Sequence, residues 1–122
     1  MHWSYPAAIR VLRVLRRCGW SCTAWQCQTA YRSAAPHSDV ASLRALLLEL
    51  GVGGEPIPSR PAGASETGRS VNVWTLRPDC WDLARAILAW EDAHPDGNGR
   101  AHLDEIRALA AARRPAAQAA LF

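Results

Sequence analysis

Apolar residues in the first part of the chain follow a helical rhythm. In "AIRVLRVLRR" Ile9, Leu12 and Leu15 share one face, while Arg10, Arg13 and Arg17 form a stripe on another. A helix is therefore predicted over about 6–18, with Pro6 in its first turn and Gly19 at its end. The segment "TAWQCQTAYRSA" predicts a second helix, because Thr23 and Gln26 have the S/T-x-x-E/Q spacing of a capping box. Pro36 in "APHS" opposes continuation of that helix. Ser38 is then the expected N-cap of "DVASLRALLLEL", which Gly51 closes. Two helices of this length joined by a short turn predict a helix-turn-helix, its second helix being the recognition element.

The period changes after Gly51. "GVGGEPIPSRPAGASETGRS" is rich in Gly, Pro and Ser and is not helical, whereas "VNVWTL" (71–76) alternates and is β-branched, predicting a strand. Its expected partner is "EPIPSR", confined to a sheet edge by Pro56 and Pro58. Strand, long loop and strand make the outline of a wing. Asp79 is the expected cap of a helix from Cys80 to about Asp92, packed through Leu83, Ile87, Leu88 and Trp90. A last helix is predicted from Leu103 to about Arg114, ended by Pro115, and no internal repeat is found. The expected fold class is mainly α with a small β-hairpin wing and additional C-terminal helices. The expected division is a domain over 1–92, a loop and helix over 93–114 that pack on it or form a dimer seam, and a tail over 115–122.

Composition changes this picture little. A chain of 122 residues, about half apolar and a fifth charged, suits a globular domain rather than a disordered one. No apolar run approaches a membrane span and no secretory signal is evident, so a cytoplasmic protein without membrane contact is expected. All 14 basic residues are Arg; this suits phosphate binding, but GC-rich coding is the preferred account of it. Net charge +3 permits nucleic-acid binding without arguing for it. Cys18, Cys22, Cys27 and Cys80 contain no CxxC pair and read as buried or half-buried free thiols.

The order helix, helix-turn-helix, strand–loop–strand, helix resembles the winged helix-turn-helix domains of bacterial MarR- and PadR-like regulators. "GW" before a capped helix looks like their junction between helices 1 and 2. "VWTLRPDCWDLARAIL" resembles their passage from the second wing strand into the next helix, and Val40, Leu47 and Gly51 fit the inward positions of their recognition helix. The resemblance spans about residues 6–92. It implies a non-enzymatic regulator of transcription, bacterial, phage or plasmid in setting, that binds double-stranded DNA. Carried over, the base-facing residues would be Ser38, Asp39 and Ser42 with Arg44 behind them. Arg60 and Arg69 would be the wing's phosphate contacts, and Tyr31 and Arg32 could reach the backbone. Leu46 and Leu48 stand where such helices usually carry polar residues, and no Arg, Asn or Gln occupies the first turn to read a base edge. An apolar recognition helix fits the competing class, a winged-helix protein-interaction module.

Two further segments carry motif-like patterns. "HPDGNGRAHLDE" (94–105) resembles a calcium loop, with Asp96, Asn98, Gly99 and Glu105 in register, and also a shortened Fic motif. His94 at position 1 is a poor ligand for a hard cation, and Asp96 replaces the Fic phenylalanine. A turn between two helices is the expectation, with Pro95 presetting φ and Gly97 and Gly99 supplying positive φ. No metal, cofactor or catalytic constellation is expected. The terminal "QAALF" resembles the bacterial sliding-clamp-binding peptide through Gln118, Leu121 and Phe122. It reads equally as a segment packed on the core or on a dimer seam. The expected partners are thus duplex DNA and, less directly supported, a second copy of the chain and the sliding clamp.

Overall fold

A computed structural model describes residues 3–31, 35–64 and 70–112. It is mainly helical, with one small three-stranded antiparallel sheet. The chain gathers into two compact units, Met1–Pro78 and Asp79–Phe122, so the expected 1–92 segment is divided just ahead of its last helix.

The first unit runs α1 (Tyr5–Arg17), β1 (Ser21–Thr23), α2 (Ala24–Tyr31), α3 (Pro36–Glu49), β2 (Ser59–Ala64), β3 (Ser70–Thr75). Helix α1 is capped by Ser4, whose Oγ accepts from the Ala7 N–H at 3.2 Å. Its apolar side, including Ala8, Leu12 and Leu15, is fully buried. The helix closes with a paired C-terminal turn: Gly19 N–H donates to Arg16 and Trp20 N–H to Leu15, the geometry that needs a left-handed residue after the cap. Gly19 supplies it at φ +71°, and Trp20 follows at φ +73°. A bulky residue in that region carries strain of about 1–3 kcal/mol. The strain is offset because the indole is buried and the Trp20 carbonyl accepts from Leu76 N–H at 2.8 Å.

That reversal launches a strand absent from the sequence expectation. β1 is three residues long, too short for an alternating pattern to register, yet it pairs with β3. The sheet order is β1-β3-β2. β2 is therefore an edge, where Pro61 costs no ladder bond. It starts at Ser59, after Pro56 and Pro58 rather than among them, and its register shifts between Pro61 and Ala64.

The predicted capping box forms. Gln26 N–H donates to Thr23 Oγ1 at 3.2 Å, and Thr23 N–H donates to Gln26 Oε1 at 2.8 Å. Gln26→Ala removes one of these bonds, so a loss of about 0.5–2 kcal/mol is expected, read as a shift in the urea midpoint.

Helix α3 starts earlier than expected. Pro36 opens it at the first helical position, Ala35 is the N-cap without a side-chain bond, and Ser38 lies inside the first turn. Proline has no N–H to lose there, and its fixed φ suits the position. The C-terminus is as expected: Gly51, at φ +91°, completes a second paired turn through Gly51 N–H to Leu48 and Val52 N–H to Leu47.

The second unit holds a 3-10 turn (Pro78–Cys80, whose first residue belongs to the first unit), helix α4 (Trp81–Ala93), a second 3-10 turn (Gly99–His102) and helix α5 (Leu103–Ala112). Helices α4 and α5 pack on each other. Cys80, not Asp79, is the N-cap of α4, and it makes no side-chain capping bond. Among the described residues no helix is long and apolar enough to cross a membrane.

Candidate nucleic-acid interface

The residues expected to touch DNA separate once the helix faces are known. Asp39 and Ser42 are only 8 % and 7 % exposed, because both point toward α1. Ser42 Oγ accepts from Ser4 N–H at 3.0 Å, so it anchors the capping residue of α1 to α3. Asp39 lies 3.9 Å from Arg10 Nη2 and sits in the first turn of α3, where a negative charge complements the helix dipole. Both side chains are therefore already engaged and almost fully buried within the first unit.

Arg44 is also engaged. Its Nε donates to Glu55 Oε1 at 2.8 Å and its Nη2 to the Ile57 carbonyl at 2.9 Å, while Ile57 N–H donates to the same Glu55 oxygen at 3.0 Å. This clasp fastens α3 to the segment that leads into β2. Burial pushes the Glu55 carboxyl up, but the bonds from Arg44 and Ile57, with the charges of Arg44 and Arg77, bring it below its ordinary value. A lowered carboxylate pKa contributes stability above the unfolded value, and that contribution is lost as pH falls through the folded value. The pair is largely open to solvent, so the contribution is small.

Ser38 and Arg60 are exposed. Arg32 and Arg69 lie outside the described residues, as do Gln118, Leu121 and Phe122. The outward strip of α3 consists of His37, Ser38, Ala41, Leu48 and Glu49, mostly small or apolar. His37 also meets Trp74 of β3 edge to face, with centroids 5.1 Å apart, which links the start of α3 to the sheet. No protein-family model matches the chain, and neither a curated protein nor a solved structure is significantly similar to it.

The apolar character of α3 also resolves by face. Leu46 is fully buried, whereas Leu48 is 55 % exposed; on α2, Trp25 is 69 % exposed. Periodicity alone could have separated Leu46 from Leu48, since they lie about 200° apart on a helix. The engagement of Ser42 and Arg44 had no such signal, because their partners are distant in sequence.

The segment 94–105 forms a turn with aromatic packing. His94 stacks on Trp90 at 4.2 Å and His102 also stacks on Trp90, at 5.1 Å. His94 Nδ1 donates to the Trp90 carbonyl at 2.9 Å, and Glu105 pairs with His102 at 3.5 Å. Gly97 and Gly99 do not have positive φ, contrary to expectation. Gly97 is there for space: a Cβ would come within 2.9 Å of Trp90 Cη2. Among the described residues no group of three or more His, Cys, Asp or Glu side chains could hold a metal ion.

Proposed function

We propose that the first unit is a winged helix-turn-helix that binds duplex DNA, with α3 as the recognition helix and the β2–β3 hairpin as the wing. The observation that carries this reading is the order α, short β, α, α, β, β, with β1 paired to β3 beside the edge strand β2. A transcription regulator is the setting that fits such a domain. The contacts are revised to Ser38 and Ala41 on α3, Arg60 on β2 and Arg69, which precedes β3 in the sequence. Serine can bond to any base and alanine touches a thymine methyl, so discrimination between sequences is weak and phosphate contacts supply most of the affinity.

Fluorescence anisotropy with a random-sequence duplex across a salt series tests this. Binding should weaken linearly on a log–log plot, and Arg60→Ala with Arg69→Ala should reduce the slope by about two. Absence of binding at low salt rejects the DNA reading.

A second reading is favoured by the exposed Leu48 and Trp25: a protein-interaction module of the same fold. Gln118, Leu121 and Phe122 would then engage a partner such as the sliding clamp. Calorimetry against purified clamp, with Leu121→Ala plus Phe122→Ala as the control, decides whether that tail participates.

A further inference from the structure

Cys22 is the middle residue of β1, and Cys27 lies on α2. Their sulfurs are 3.9 Å apart and both side chains are almost completely buried. The four residues between them include Thr23 and Gln26, whose reciprocal hydrogen bonds hold the strand-to-helix turn and so keep the two thiols facing each other. Neither thiol takes part in the DNA contacts proposed above.

We propose that Cys22 and Cys27 are an oxidation site that closes into a reversible disulfide, with hydrogen peroxide as the oxidant. The two sulfurs share one hydrogen bond. It holds the Cys22 thiol far above its ordinary range, with burial and the neighbouring Cys27 and Cys18 adding to the effect. The same bond lowers Cys27 against the opposing effects of burial and of Asp39. Cys27 is thus the sulfur better able to exist as thiolate, the reactive form.

The Cys27 thiolate attacks one peroxide oxygen, the O–O bond breaks, and hydroxide leaves; the sulfur is now a sulfenic acid. Cys22 gives its proton to that hydroxide, forming water. Its sulfur attacks Cys27 Sγ, and the sulfenic hydroxyl departs, taking a proton from solvent to form a second water. Two thiols lose two electrons and the peroxide gains them. A disulfide spans about 2.05 Å, so the sulfurs must approach by roughly 2 Å from their separation of 3.9 Å. Since β1 pairs with β3 and α2 packs on α3, the bond ties the sheet to the helix pair.

Cys18 is half-buried and is the competing partner. The test treats the full chain with hydrogen peroxide, alkylates it under denaturing conditions and reads the intact mass. Alkylated thiols should fall from four, the number of cysteines in the chain, to two. Fragmentation of the Cys18–Arg32 peptide should place the bridge at Cys22–Cys27 with Cys18 alkylated. Dithiothreitol should restore all four thiols, and Cys18→Ser should still form the bridge. A bridge that includes Cys18, a sulfinic acid without a bridge, or four thiols surviving peroxide would each overturn the proposal.

Discussion

Leu46→Ala is expected to destabilise the first unit by about 2–5 kcal/mol, whereas Leu48→Ala is expected to stay within about 0.5 kcal/mol. The two leucines are two residues apart on α3, and their chemistry is the same. What differs is the face. Leu46 has no exposed surface, while Leu48 is 55 % exposed. Truncating Leu46 removes buried methyl groups and leaves a cavity that a close-packed interior fills only in part. Truncating Leu48 leaves its place to water. Urea denaturation followed by the hydrogen exchange of α1 and α3 amides measures both. Equal losses would mean that α3 is rotated from the orientation described, and Asp39 and Ser42 would then return as candidates for base contact.

Trp90→Ala should be the most damaging single change in the second unit, at about 3–5 kcal/mol. The indole is 2 % exposed, and His94 and His102 both stack against it. Gly97 leaves just enough room at its edge. Removing the ring takes away the surface on which the α4-to-α5 connection is folded, so exchange protection should drop across both helices. Trp90 Nε1 is buried and has no hydrogen-bond partner among the described residues. Phenylalanine keeps an apolar ring and removes that unsatisfied N–H, whose burial carries a cost of its own. Trp90→Phe should therefore lose much less than Trp90→Ala. A loss as large as that of the alanine variant would show that the indole's full width matters more than the unsatisfied group.

Both predictions concern faces, and faces mark the boundary between what pattern reading can and cannot supply. Element type and approximate extent were legible wherever a local device existed. The Thr23/Gln26 box, Gly19 and Gly51 beyond their helices, and the alternation of "VNVWT" each act through residues a few positions apart. The start of α3 was misplaced because Ser38 is a good cap and Pro36 an equally good first residue. Local chemistry permits both, and the packing of Asp39 and Ser42 toward α1 goes with the earlier start. β1 was invisible for another reason: three residues have no period, and they become a strand only because β3 offers a partner.

The candidate interface was legible to a lesser degree. Ser38 and Arg60 are exposed as expected of contact residues, and among the described residues no side chain covers them. Ser42, Asp39 and Arg44 are polar residues on a helix that carries few others, which made them natural contact candidates. Their actual partners, Ser4, Arg10, and Glu55 with Ile57, lie 11 to 38 residues away in sequence for the bonded pairs.

By itself, then, the sequence determined the helices, the closing turns of α1 and α3, the central strand and the four thiols, since hydrogen bonds and side-chain periodicity within one turn or one strand decide these. Only the tertiary structure decided which polar groups of α3 are already occupied, that a short third strand joins the sheet, that Gly97 serves clearance rather than backbone conformation, and that Cys22 and Cys27 meet. Each of those depends on where one segment's side chain or backbone edge comes to rest against another. That is set by the burial of the whole core, and no local rule carries it.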